Sequence, residues 1–577
     1  MLTEMKTRKI PKHLQKFVVD QQYDKYTPTD HAVWRYVMRQ NHHFLKDTAH
    51  EAYVDGLKAS GIKINRIPNV DEMNESLAPV GWGAVNIDGF IPGVVFFDFQ
   101  AHGLLPVASD IRKLENIQYT PAPDIIHEAA GHAPILLDEK FSEYVKLFGS
   151  IGAKAIATKE EHDLFEAIRQ YSNLLESGTG TDEQIEKAKQ NFEDKQKLVT
   201  ELSEAEQISR LYWWTVEYGL IGTVDDPKIY GAGLLSSVSE GKNSITSNVE
   251  KRKFDLEKVT QTGFDITKPQ PQLFVCHSFE QLIEAVNEFA NTMAFKVGGT
   301  ESLEKALKSN HTATIVYSSG LQVTGTLTHI SKDASGEANY VQFSGPSALA
   351  FDKQQLVGHG KERHAEGFSS PIGKLVNHEK PLEDWTDMEL SSQGIEVGVP
   401  TKLLFEEGVS INGTVTNIIR KNQKVILITF KDCLVTRQNV TQQFSEFDMA
   451  VGATITSVFA GAADSEAFFA DLEAVTQKEF VPRELTELEK LYGVVREIRQ
   501  DNSNKHTIEN KLSEVMTKLT QHHPNDWLLR VEVLELLKQK NILHEEQLVL
   551  LNELEKLKAL DQELFELIER GLKLIPS

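Results

Sequence analysis

The sequence predicts a mainly α-helical N-terminal domain, then a β-rich domain, then a C-terminal α-helical region. Three observations carry this division. Up to about residue 300, apolar residues recur at three- and four-residue spacing, as in the stretches from Asp47 to Leu57 and from Phe141 to Ile151. Beyond that point β-branched residues alternate between turn signals. From about Pro482 the helical spacing returns. The expected boundaries are 1–305, 306–475 and 476–577.

Within the first domain, residues 158–203 are rich in Lys, Glu and Gln and are interrupted by Gly178-Thr179-Gly180-Thr181-Asp182. This reads as a solvent-exposed helical hairpin inserted into the domain. In the second domain, Thr312 to Tyr317 and Leu321 to Leu327 flank Ser318-Ser319-Gly320, which predicts a β-hairpin. Gly413 to Ile419 and Lys424 to Phe430 repeat the signal. The echo between Gly325-Thr326-Leu327-Thr328-His329-Ile330 and Gly413-Thr414-Val415-Thr416-Asn417-Ile418 suggests two related small units. In the tail, Leu485, Leu488, Leu491, Val495 and Ile498 form a stripe, and Glu545 to Leu572 repeats Leu with Glu or Lys. A small bundle is expected there, packing on itself or mediating self-association.

The chain has 577 residues, enough for several domains, with 40% hydrophobic and 25% charged residues and a formal net charge of −23. That charge repels phosphate backbones and anionic bilayers, so neither nucleic acid nor membrane is an expected partner. With Cys276 and Cys433 as the two cysteines, a disulfide scaffold and a Cys-rich metal site are excluded. The N-terminus lacks an apolar signal core, and no run of about 18 apolar residues occurs. The sequence reads as a cytoplasmic protein.

Chemistry concentrates in Asp124-Ile125-Ile126-His127-Glu128-Ala129-Ala130-Gly131-His132. Prolines at 121, 123 and 134 bound a short helix, with Asp124 as its N-cap. His127 and His132 are spaced i, i+5, about 140° apart on a regular α-helix. Convergence on one ion therefore requires a helix end or a local widening, and Gly131 lowers the cost of either. Glu217 lies in the aromatic run Tyr212-Trp213-Trp214-Thr215-Val216-Glu217-Tyr218, where an unpaired carboxylate would cost several kcal/mol. A metal ion removes that penalty. Two imidazoles and one carboxylate with open positions suit non-haem Fe(II) or catalytic zinc, and spacing does not separate the two. His42-His43, the pair His359 and His364, and His522-His523 read as ordinary histidines in polar, exposed segments.

The run Tyr119 to His132, the run Tyr212 to Leu220, and Tyr230-Gly231-Ala232-Gly233-Leu234-Leu235-Ser236-Ser237 resemble the pterin-dependent aromatic amino acid hydroxylases. The resemblance covers roughly residues 10 to 300, and Pro269 to Val275 resembles the end of that family's catalytic domain. It implies an aromatic amino acid hydroxylase-like catalytic domain that uses Fe(2+), O₂ and tetrahydrobiopterin or a related tetrahydropterin. The substrate would be a free aromatic amino acid, with phenylalanine giving tyrosine as the first expectation. By the same resemblance His127, His132 and Glu217 are metal ligands. Arg112 would hold the substrate carboxylate, a task suited to a bidentate guanidinium. Thr120 and Ser236 match positions that contact the substrate or support the site, and Trp213 a wall of the ring pocket. Gly89, Phe96 and Glu128 match pterin-binding positions, Gly89 on a strand and Phe96 as a stacking ring. Departures are a lengthened gap between His132 and Glu217, too few residues in front for the animal-type regulatory domain, and nothing to account for the chain beyond 300.

A rival reading is a zinc-dependent peptidase, since His127-Glu128-x-x-Gly131-His132 also resembles the motif of certain zinc dipeptidyl peptidases, with Glu128 as general base. The aromatic surroundings of Glu217 do not match those enzymes. A third reading, a non-catalytic binding protein, leaves the buried acid without a purpose.

Overall fold

The computed structural model describes residues 9–88, 91–118, 124–177, 180–266, 268–406, 408–437, 440–471, 481–500 and 504–576. Thr27 and Asp30 form a capping box, and Pro28 takes the first turn, so a long helix Pro28–Thr48 starts there. It buries Trp34, Tyr36, Val37 and Met38 at the centre of the largest hydrophobic cluster. The periodic stretch from Asp47 to Leu57 is not one helix. Ala49 turns extended and bridges Ile229, and His50 then caps a new helix, Glu51–Ala59. The helix expected around Phe141 to Ile151 is Glu139–Gly152.

Two small sheets frame the site. In one, Gly83–Ile87 and Leu104–Ala108 run parallel, joined by the helix Gly93–Ala101. In the other, Leu220–Gly222 and Glu250–Lys253 both pair with Gln272–Cys276. Phe96 therefore stands on a helix, while Gly89 lies outside the described residues. The charged insertion is a helix pair, Lys159–Ser177 and Asp182–Leu198. Its inner face is not wholly solvated. Leu164, Phe165 and Ile168 line a cavity against the domain body.

Residues 312–460 form two antiparallel sheets. Thr312–Tyr317, Leu321–Lys332 and Ala338–Phe351 pair in order in the first sheet, and Pro400–Leu404, Ser410–Lys421 and Lys424–Arg437 pair in order in the second. The second and third strands have the same lengths in both, 12 and 14 residues. Two apolar clusters fill them, one around Ile315, Val323 and Leu349 that also takes in Ile426 and Leu427 of the second sheet, and one around Ile411, Val415 and Phe430 that takes in Tyr340 of the first.

The tail folds as Glu487–Gln500, Lys505–His522, Trp527–Lys540, His544–Lys558 and Gln562–Lys573. Its apolar residues merge with the N-terminal cluster. Arg35 of the long helix meets Glu532 at 2.6 Å and Glu535 at 2.7 Å, all three buried. Tyr36 donates to the Leu567 carbonyl at 2.7 Å. Among the described residues no helix is long and apolar enough to cross a membrane, and both cysteines are buried and free.

Candidate metal centre

The local widening that the i, i+5 spacing demands is present: His127–His132 is a π-helical turn. Hydrogen-bond closure at i, i+5 puts the two rings on one face, where an α-turn would splay them. Asp124 Oδ1 accepts from the His127 N–H at 3.1 Å, the expected capping bond. Tyr53 donates its hydroxyl to the Ala130 carbonyl at 2.8 Å, supporting the turn from outside. Gly131 is needed for a second reason. A Cβ there would lie 2.6 Å from the Ala232 carbonyl oxygen, so the glycine lets the helix Ala232–Ser236 press against this turn. Glu217 ends another π-helical segment, Trp213–Glu217, which sequence reading did not anticipate.

The donor atoms converge. His127 Nε2 lies 3.1 Å from His132 Nε2 and 3.2 Å from Glu217 Oε2, and His132 Nε2 lies 3.2 Å from Glu217 Oε1. Ligands about 2.1 Å from one ion are about 3.0 Å apart at right angles and about 3.4 Å apart in a tetrahedron. The observed separations of 3.1 to 3.2 Å fall between these two values, so one ion could be held by all three donors at once. Glu128 stands further off, its Oε2 3.9 Å from His132 Nε2.

Charge tells the same story. Burial opposes an imidazolium at His127, yet the Glu217 carboxylate, helped by Glu128 and Asp124, lifts its pKa to about 9. Burial likewise opposes ionisation of Glu217, but the two imidazoles hold its carboxyl well below the usual range. Burial pushes the Glu128 carboxyl up. The cluster lacks positive charge, and a divalent cation fits where a proton is otherwise drawn onto His127.

Ser236 fixes the tautomer that such a cation needs. Its hydroxyl donates to the Ala232 carbonyl at 2.8 Å and so accepts from His127 Nδ1–H at 3.1 Å. The Nε2 lone pair is then left facing Glu217 and His132. Arg112 is buried and clamped by Asp124, with Nε to Oδ2 and Nη2 to Oδ1 both at 2.8 Å. Asp124 thus joins the Arg112 guanidinium to the first turn bearing His127. Sequence reading assigned Asp124 only the capping role, because the clamp depends on a fold-back that no local pattern encodes.

Trp213 stacks on Phe264 at 4.3 Å and on Tyr218 at 4.5 Å between ring centroids. Phe96 meets Tyr212 edge-on at 5.7 Å, and both line a cavity of about 730 Å³ that reaches beneath the inserted hairpin. Tyr212 carries no obvious sequence signal for that role. Glu128 Oε2 is buried without a hydrogen-bond partner. Thr120 and Gly89 fall outside the described residues.

A family model described as biopterin-dependent aromatic amino acid hydroxylase matches residues 12–172 and 196–305, the break falling inside the charged hairpin. Phenylalanine-4-hydroxylase of Chromobacterium violaceum is 30% identical over 271 residues, covering 47% of this chain and 76% of that protein. The enzyme of the same name from Ralstonia nicotianae is also 30% identical, covering 47% of this chain and 72% of that one. A crystal structure of the C. violaceum enzyme with bound oxidised Fe(III) aligns with a TM-score of 0.38 at 29% identity, covering 47% of this chain and 84% of that one. The chain belongs to the biopterin-dependent aromatic amino acid hydroxylase family. The zinc-peptidase reading finds no support in these matches.

Proposed function

We propose that the protein is an iron(II)- and tetrahydropterin-dependent monooxygenase that converts free L-phenylalanine to L-tyrosine. The observation that carries the reading is the triangle of His127, His132 and Glu217, with sides of 3.1 to 3.2 Å, in a chain of this family. Those three side chains would hold iron, and bound there it would supply activation of O₂ with electrons from the reduced pterin. The substrate is phenylalanine by analogy with the phenylalanine-4-hydroxylases it resembles.

The protein's own part is to bind, orient and exclude water. Arg112, held in one plane by Asp124, would take the substrate carboxylate with the guanidinium donors that Asp124 leaves. Trp213 would form a wall of the ring pocket, with Thr120 beside the substrate. Ser236, matched to a substrate-contacting or supporting position, would act by orienting His127. Phe96, Glu128 and Gly89 would hold the pterin. The unpartnered Glu128 Oε2 supports a ligand beside it, since a buried acceptor calls for a donor.

The rest of the reading follows the same division. Residues 1–305 would be the catalytic domain, with 306–475 and 476–577 as accessory regions. Self-association through the tail is supported by exposed Leu548, Val549 and Leu560, and a cytoplasmic setting by the two free thiols. Anaerobic loading with Fe(II), then incubation with O₂, a reduced tetrahydropterin and each aromatic amino acid in turn, tests the function. Tyrosine should form from phenylalanine only when both iron and pterin are present. Absence of a hydroxylated product from all three amino acids would refute it.

A further inference from the structure

The β-rich region holds a second cluster of donors, unrelated to the hydroxylase site. His359 and His364 belong to the segment between the strands Gln354–Gln355 and Gly367–Pro371 of the first sheet. Asp448 comes from Val440–Ala450 of the second sheet. Against the expectation of exposed histidines, their relative exposures are 6%, 7% and 8%. The segment curls back on its own sheet, with Leu349 N–H donating to the His359 carbonyl and Ser347 N–H to that of His364.

The imidazole nitrogens that face inward are not satisfied. His359 Nδ1 lies 3.7 Å and His364 Nε2 3.9 Å from Asp448 Oδ2, beyond hydrogen-bond length, and neither nitrogen has a hydrogen-bond partner. Buried imidazole nitrogens left in this way are costly. The two rings lie 20° from parallel with centroids 5.7 Å apart, and one donor atom from each of the three residues falls within 4.8 Å of the others.

The carboxylate is oriented from outside. Thr429 donates to Oδ1 and Arg363 Nε to Oδ2, both at 2.7 Å. Arg363 is shared with Glu446, at 3.0 Å, so two acids face one guanidinium and the pocket keeps a negative balance.

We propose that His359, His364 and Asp448 form a binding site for a divalent cation of the zinc class, which ties the two β-sheets together. Two imidazoles and a carboxylate are donors that such an ion accepts, with water completing the shell. A tetrahedral shell places ligands about 3.4 Å apart, so the two imidazole–Asp448 separations of 3.7 and 3.9 Å would each close by a few tenths of an ångström. The orienting bonds from Thr429 and Arg363 are of the kind that hold metal-ligating carboxylates in place. This inference is independent of the hydroxylase reading.

The test uses the full chain carrying His127→Ala and His132→Ala, which removes the first centre. After stripping with a chelator, the protein is titrated with Zn²⁺ alone, desalted, and assayed for bound zinc and thermal midpoint. The expected result is one zinc retained per chain and a raised midpoint, both lost when His359→Gln and His364→Gln are added. No retained zinc in the folded chain with the cluster intact would overturn the proposal. So would equal retention after the two Gln substitutions. Should the Gln variants not fold, the intact-cluster measurement decides alone.

Discussion

His127 Nδ1 donates to Ser236 Oγ across a 3.1 Å gap, and that bond sets which face of the imidazole looks toward Glu217. The hydroxyl's own proton is committed to the Ala232 carbonyl, so the direction of the bond is fixed. Removing the hydroxyl in Ser236→Ala frees the ring to take either tautomer. Iron affinity should fall about 10- to 100-fold with the fold retained, as for other groups that orient a metal-bound histidine. Equilibrium iron binding beside circular dichroism checks this.

Gly131 should tolerate no side chain. In Gly131→Ala the new Cβ meets the Ala232 carbonyl, and relief requires moving the helix that carries Ser236 away from His127. Overpacking of this kind costs about 1–3 kcal/mol. The variant should melt earlier and retain less iron than Ser236→Ala.

Arg112→Lys keeps the positive charge but cannot reproduce the fork against Asp124. Iron content should be unchanged while the KM for phenylalanine rises at least about tenfold, the cost of one charge-assisted bond. Arg112→Ala is a poorer probe. It strands a buried carboxylate and should cost about 3–5 kcal/mol of stability.

The metal-free protein should respond to pH in a defined direction. Burial works against the charged His127 ring, but Glu217 raises its pKa to about 9, above the unfolded value. The stabilisation is complete below the unfolded pKa of about 6.5 and is lost as pH climbs through about 9. Iron competes with that same proton, so its affinity should rise over this window while apoprotein stability falls. Titrations of iron binding and of the apoprotein melting midpoint across this range test both signs.

Glu535 faces Arg35, Arg39 and Arg499 at 2.7, 2.9 and 3.0 Å. Glu535→Ala leaves those cations with Glu532 as the remaining acid of the pair and should destabilise the chain by about 3–5 kcal/mol. Because the tail packs on the helix Pro28–Thr48, loss of hydroxylation should track loss of folding. Denaturant midpoints with parallel activity assays would reveal a separation if the tail were an independent module.

Much of this was legible in the sequence where a local pattern had to be satisfied locally. The i, i+5 histidines demanded a widened turn, and a π-turn is what the chain adopts. Glu217 stood out because a carboxylate among indoles needs a cation. The turn 318–320 marked a hairpin because its flanks alternate. What the sequence does not show depends on chain fold-back. Asp124 clamps Arg112 through a loop closure, and the long helix breaks before the second one because Ala49 is drawn into a bridge with Ile229. His359 and His364 read as solvated because their segment is polar and their partner, Asp448, arrives on another sheet. The helix Trp527–Lys540 is buried on all faces, including Arg530, Glu532 and Glu535, a placement that amphipathic spacing does not signal.

The most direct test of the account is the iron content of the wild-type chain against Glu217→Ala after identical anaerobic loading, with folding verified for both. One iron per chain in the wild type, lost in the variant together with tyrosine formation, is the expected result. A folded Glu217→Ala chain that held iron as tightly as the wild type would contradict it.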